Sequence, residues 1–160
     1  MNIYLKQKVF AIGDKYDFTD YNQKLLYQGK KPALSITKMY LYDAEGKEIY
    51  YIKKKLFSFL SKYTVYKDGK KVLQVNKKFS FSPKYIITDS NNNEYSLQGN
   101  IIAYDFELKC NDRFVGSVRK EYFSFGDAYE LTISDDYDPA LFCSIALIID
   151  NCNHNKVHKR

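Results

Sequence analysis

Short stretches rich in β-branched and aromatic residues, such as Tyr63-Thr64-Val65-Tyr66 and Val72-Leu73-Gln74-Val75, follow one another along most of the chain. Each is bounded by turn or corner residues, the pattern of strands joined in hairpins. Their spacing is set by a frame, Phe-Ser-Phe-x-x-x-Tyr, found as FSFLSKY at 57–63, FSFSPKY at 79–85 and FSFGDAY at 123–129. With any apolar residue allowed at the two Phe positions, FAIGDKY at 10–16 and LSITKMY at 34–40 join it, and IIAYDFE at 101–107 is a worn copy. The copies start at 10, 34, 57, 79, 101 and 123. A period this regular marks a repeated supersecondary unit.

Midway between copies lie DYNQ at 20–23, DAEG at 43–46, DG at 68–69, DSNNN at 89–93 and ND at 111–112. Asp, Asn and Gly supply the positive φ and local hydrogen bonds that tight hairpins need. Each period therefore reads as strand, tight turn, strand, corner. The pattern predicts twelve strands in an antiparallel meander, near 2–8, 15–19, 24–30, 38–43, 47–54, 62–67, 70–76, 85–89, 94–99, 104–110, 113–120 and 128–134. By the two-residue alternation of a strand, the Phe pair of each corner points to one face and the Ser to the other, while the Tyr opens the next strand. The phrase is accordingly read as packing rather than as a ligand cage.

After the twelfth strand the pattern changes to DDYDPALFCSIALIIDNCNHN. Asp138 followed by Pro139 is a helix start, an N-cap before the residue type favoured at the first helical position. Residues 140–149 carry one polar side chain, Ser144, so a helix near 138–152 is apolar all round and belongs in an interior. A barrel of about eight strands fills itself with side chains, whereas a wider one leaves a lumen. Twelve strands thus call for a filler, and this helix is the candidate. The predicted fold is mainly β: a closed antiparallel twelve-stranded barrel around a central hydrophobic C-terminal α-helix. Residues 1–153 are expected to form one domain, with 154–160 as a polar tail.

A chain of 160 residues suffices for one core without metals or disulfides. Cys110, Cys143 and Cys152 make an odd number without paired spacing, and MNIYLKQKVF lacks the apolar run of a signal peptide. Both favour a reducing cytoplasm. The apolar run ALFCSIALII at 140–149 is half of what a membrane-spanning helix needs.

Signatures of catalysis are missing: the chain has no Gly-rich phosphate loop, GxSxG, HExxH or CxxC. No enzyme activity and no cofactor are expected. Cys152, His154 and His158 are weighed as zinc ligands against a simple polar tail, and Asp135, Asp136 and Asp138 as calcium ligands against helix capping. The structural alternative is preferred in both cases, and no metal site is assigned.

Basic residues cluster just before the corner phrases: Lys6 and Lys8, Lys30 and Lys31, Lys53, Lys54 and Lys55, Lys77 and Lys78, Arg119 and Lys120. Equivalent positions in a meander of hairpins lie at one end of the barrel, so the formal net charge of +6 is expected to concentrate in a basic rim. The candidate anion-binding residues are Lys31, Lys53, Lys54, Lys55, Lys77, Lys78, Arg119 and Lys120. An anionic phospholipid surface is one partner for such a rim, peripheral to the membrane. Nucleic acid is a rival, since lysines interleaved with tyrosines combine phosphate contact with stacking. A protein-interaction or structural module without a small ligand is a third reading, in which the lysines only keep a β-rich protein soluble.

Several stretches together resemble a known family: the opening YLKQKVFAIGDKYDFTD, the phrases IKKKLFSF and NKKFSF, and the end DDYDPALFCSIALIIDN. Twelve antiparallel strands around a hydrophobic C-terminal helix is similar to the tubby-like fold. The chain looks like its small single-domain branch, the LURP-one-related proteins, within the bacterial uncharacterised group. The resemblance spans essentially the whole chain. It implies a non-enzymatic module, and by analogy with the phosphoinositide-binding tubby proteins, and with the phospholipid scramblases thought to share the fold, a lipid headgroup as ligand. The phosphoinositide contacts of tubby proteins have no matching positions in this sequence, so none is carried over.

Overall fold

The computed structural model describes residues 1–8, 14–81, 83–121 and 128–157. Twelve strands follow in order: β1 (Asn2–Lys8), β2 (Asp14–Thr19), β3 (Leu25–Lys31), β4 (Lys38–Asp43), β5 (Glu48–Lys54), β6 (Lys62–Lys67), β7 (Lys70–Lys78), β8 (Lys84–Asp89), β9 (Glu94–Asn100), β10 (Asp105–Cys110), β11 (Arg113–Glu121) and β12 (Ala128–Ile133). Every strand pairs antiparallel with its neighbours in sequence, and β1 pairs with β12 to close the barrel. Each strand begins and ends within two residues of its predicted bounds. The helix α1 (Pro139–Val157) runs beyond the expected 152, so the backbone of residues 154–157, expected as tail, continues the helix. Residues 158–160 lie outside the described residues.

The turns obey the chemistry of their residues. Asp68 and Gly69 both have positive φ, as do Asn111 and Asp112, the requirement of two-residue hairpins whose twist matches that of the strands. Along each strand every second side chain faces inward, so Leu41, Ile52, Val65, Leu73, Ile87, Leu108 and Leu131 are fully buried against the helix. On α1 itself Phe142, Cys143, Ile145, Leu147, Ile148 and Ile149 are buried around its whole circumference. The helix is therefore core, as its uniform apolarity requires.

Two strand-interior glycines make room for it. A Cβ at Gly29 would sit 2.8 Å from both Leu147 methyls, and one at Gly116 would sit 2.6 Å from the Phe142 ring and 2.7 Å from the Thr132 carbonyl oxygen. The clash at Gly116 involves backbone and cannot be relieved by a rotamer change. Asp138 caps the helix as expected: its carboxylate accepts from the Ala140 and Leu141 amides at 2.9 and 3.3 Å and from the Tyr50 hydroxyl at 2.5 Å. Asp135 meets the N-terminal ammonium at 3.4 Å and Asp136 accepts from Ser134 at 2.6 Å. The three carboxylates thus have separate structural partners.

The corner phrase divides in two. Tyr16, Tyr63, Tyr85 and Tyr129 are buried, as packing requires, but the Phe pair is not: Phe57, Phe59, Phe79 and Phe81 are 85 % exposed or more. The expectation that the phenylalanines pack is corrected, because the corner leaves the sheet before the alternation can turn them inward. The copies at 34–40 and 101–107 are out of phase by one residue, so Met39 and Phe106 occupy the inward position and Tyr40 faces out. Phe10, Phe123 and Phe125 lie outside the described residues.

Candidate functional site

In a meander the connections alternate between the two ends of the barrel. The tight turns and the entry of α1 share one end; the corners at 32–37, 55–61, 79–83 and 101–104 share the other. At the corner end the candidate residues fall into two sets by strand alternation. Lys31, Lys54, Lys77 and Lys120 continue the inward-facing rows of β3, β5, β7 and β11, one step beyond Gly29, Ile52, Val75 and Val118. Lys53, Lys78 and Arg119 are on the outward rows and exposed, with Lys55 exposed at the start of its corner. Lys8 of β1 joins this end, although its side chain is outside what is described.

The outward set meets further lysines that the windows before the corners did not include. Across the hairpins Lys15 stands opposite Lys30, Lys38 opposite Lys53, and Lys84 opposite Lys78. The missed residues open the strands after the corners, and the repeat frame could have located them, since Lys15, Lys38, Lys62 and Lys84 each precede the position of the repeated Tyr or its phase-shifted equivalent. Like charges directly opposite one another destabilise a sheet. Two of the eight candidates are neutralised locally: Lys31 pairs with Asp14 at 3.3 Å, and Arg119 with Asp105 and Glu107 at 3.7 and 4.0 Å. Lys53, Lys55 and Lys78 have no carboxylate within ion-pair distance among the described residues.

Apolar side chains share this end. Leu34 and Ile36 stand exposed in the first described corner, Leu56, Phe57 and Phe59 in the second, Phe79 and Phe81 in the third, and Ile102 in the fourth. Among the described residues the other large exposed apolar side chains are Met1, Tyr21 and Phe114, none of them in a corner. A groove of about 470 Å³ opens between Phe81, Leu97, Ile101 and Ile102, with Lys84 at its edge.

Beneath the rim the last turns of α1 meet the repeated tyrosines. The buried Asp150 carboxylate accepts from Tyr16 and Tyr104, each at 2.6 Å, and Asn151 accepts from Tyr63 at 3.0 Å. The sequence reading did not single out Asp150; the signal was a polar DNCN run ending an apolar helix. Burial is the main cause that raises the Cys152 thiol, with the charges of Lys77 and Lys54 acting in the opposite sense. Lys54 also stands over the Tyr63 ring, 5.7 Å from its centroid. The Asp-bearing turns stand at the other end, around the helix N-terminus.

Burial, followed by the Asp150 charge and its hydrogen bond, pushes Tyr16 and Tyr104 well above the ordinary tyrosine range, and burial does the same for Tyr63 and Tyr85. Below about pH 10 these rings are neutral in the folded and unfolded chains alike, and their contribution to stability is complete. Above it the unfolded chain ionises first, so that contribution is lost as pH rises. An alkaline titration followed by tyrosinate absorbance and circular dichroism is expected to ionise a first group of rings in the folded protein and the rest only as secondary structure is lost. Ionisation of every ring with the dichroism unchanged would contradict the burial of this cluster.

On the outer face Tyr40, Tyr51 and Tyr66 form a ladder with ring centroids 5.3 and 5.8 Å apart. Their faces are partly occupied by one another. No helix among the described residues is long and apolar enough to cross a membrane, and no group of three or more potential metal ligands occurs among the same residues.

Comparison with known proteins places this geometry. An uncharacterised protein of Bacillus subtilis (strain 168), YxjI, is 29% identical over 157 residues, covering 97% of this chain and 95% of that one. The X-ray structure of an Arabidopsis thaliana protein superposes with a TM-score of 0.70 over 95% of this chain and 91% of its own, at 16% identity, a likeness of fold. The LURP-one-related family model matches residues 1–150, which include all twelve strands and most of the central helix. The chain belongs to the LURP-one-related family.

Proposed function

We propose that this LURP-one-related domain is a non-enzymatic binding module that docks on anionic phospholipid surfaces through its corner end. The observation that carries the reading is the register: Lys15 opposite Lys30, Lys38 opposite Lys53 and Lys84 opposite Lys78, all at one end of the barrel. Such pairs cost stability in the free protein, and a layer of lipid phosphates facing the rim offsets that cost. Each lysine near an anionic surface contributes about 1 kcal/mol. The outward tyrosines favour nucleic acid less, because a base would have to compete with the neighbouring rings of the ladder, Tyr40 tilted against Tyr51 and Tyr51 stacked with Tyr66.

The test is co-sedimentation with phosphatidylcholine vesicles and with vesicles containing phosphatidylglycerol, at low and high salt. Binding to the anionic vesicles alone, weakened by salt and not displaced by a single-stranded oligonucleotide, is the expected result. Equal retention by neutral vesicles, or displacement by the oligonucleotide, counts against the reading. Binding to neither vesicles nor oligonucleotide turns the search towards a protein partner.

A further inference from the structure

We propose that the exposed corner phenylalanines, Phe57, Phe59, Phe79 and Phe81, are a membrane wedge that enters the acyl region of an anionic bilayer. This inference rests on the anionic-surface reading above and adds what happens after electrostatic contact. Four aromatic rings standing in water on two adjacent corners are a departure from ordinary surface composition. Nothing within the described fold covers them. Phe57 is held in addition at φ 57°, a left-handed conformation that is costly for a bulky side chain and is retained where surroundings or function demand it.

The occupant is identified by the chemistry that borders the rings. Each corner rises from a lysine cluster, Lys53 to Lys55 before Phe57 and Lys77 and Lys78 before Phe79, and falls back onto another lysine, Lys62 or Lys84. Apolar tips on cationic bases match the layering of a bilayer, where phosphates overlie hydrocarbon. A flat protein surface has no such layering. Phe57 stands at the turn of its corner, three residues beyond the strand end at Lys54, with its side chain fully exposed. Interfacial apolar groups enter a bilayer by about 5–10 Å. The groove between Phe81 and Ile102, with Lys84 beside it, adds an apolar wall next to a phosphate-binding charge.

The chain contains no tryptophan, so a Phe81→Trp variant carries a single indole reporter. On vesicles of phosphatidylglycerol and phosphatidylcholine, its emission is expected to shift to the blue and to be quenched when the acyl chains are brominated. In parallel, replacing Phe57, Phe59, Phe79 and Phe81 by Ser is expected to leave the salt-sensitive first contact and to reduce the fraction still bound at high salt by about tenfold or more. Vesicle-bound protein whose indole is neither shifted nor quenched overturns the wedge and leaves the anionic-surface reading standing. Absence of vesicle binding by the unaltered protein overturns both. A concentration-dependent dimer abolished by the Ser substitutions would give the rings a second copy as partner and overturn the wedge.

Discussion

Leu147→Asp is expected to leave the protein unfolded at room temperature. Leu147 is buried at the middle of α1, with its two methyls against the backbone of Gly29. The close approach leaves no volume for water around a carboxylate. An unpaired charge buried in such a place costs many kcal/mol unless it protonates, and even the neutral acid lacks a hydrogen-bond partner, at several kcal/mol. The loss of packed methyl groups adds about 2–5 kcal/mol. Domains of this size hold only about 5–15 kcal/mol in reserve. Circular dichroism and thermal melting decide the matter: a variant that melts like the unaltered protein would mean that α1 does not occupy the barrel. Leu147→Met, close in volume, serves as control and is expected to cost less than about 1.5 kcal/mol.

Neutralising Lys53, Lys54, Lys77 and Lys78 together to Gln is expected to reduce association with anionic vesicles by about a thousandfold, four contributions of about 1 kcal/mol each at 1.4 kcal/mol per factor of ten. Stability is expected to change little. Removing Lys53 and Lys78 relieves their like-charge opposition to Lys38 and Lys84, each relief worth roughly 0.2–1 kcal/mol. Removing Lys54 takes a cation from the face of the Tyr63 ring, 5.7 Å from its centroid, a loss of roughly 0.5–1 kcal/mol. The two effects nearly cancel. Undiminished vesicle binding by a folded quadruple variant would remove the rim from the mechanism, and a large fall in melting temperature would recast these lysines as structural.

The alternation of Tyr63-Thr64-Val65-Tyr66 and the DG and ND turns were enough to locate strands and hairpins, because hairpins are local and their chemistry is written in adjacent residues. The helix was legible for a related reason: an apolar run with a capping Asp138 has one stable place in a wide barrel. The rim was legible in part. Lys53 and Lys78 were found from the residues before each corner, whereas their partners Lys38 and Lys84 depend on cross-strand register, which a single strand does not carry. The phenylalanines were misread because period-two alternation holds only while the chain stays in the sheet; where the corner leaves it, the same Phe-Ser-Phe pattern no longer specifies a face. Asp150 escaped notice because a buried carboxylate is tolerable only with the Tyr16 and Tyr104 hydroxyls beside it, and these come from β2 and from the corner before β10, more than 40 residues away.

The element that fills the barrel follows all twelve strands in the chain. During synthesis the hairpins can form one after another as they emerge, since each joins neighbours in sequence. The wall cannot close until β12 reaches β1, and the lumen has no apolar occupant until α1 has been made. A partly synthesised chain therefore presents a curved sheet with an open edge and a wet, greasy inner face, the kind of species that aggregates at cellular concentrations. Translation speed and chaperone capacity, rather than the equilibrium stability of the finished barrel, are expected to set how much of this protein a cell accumulates.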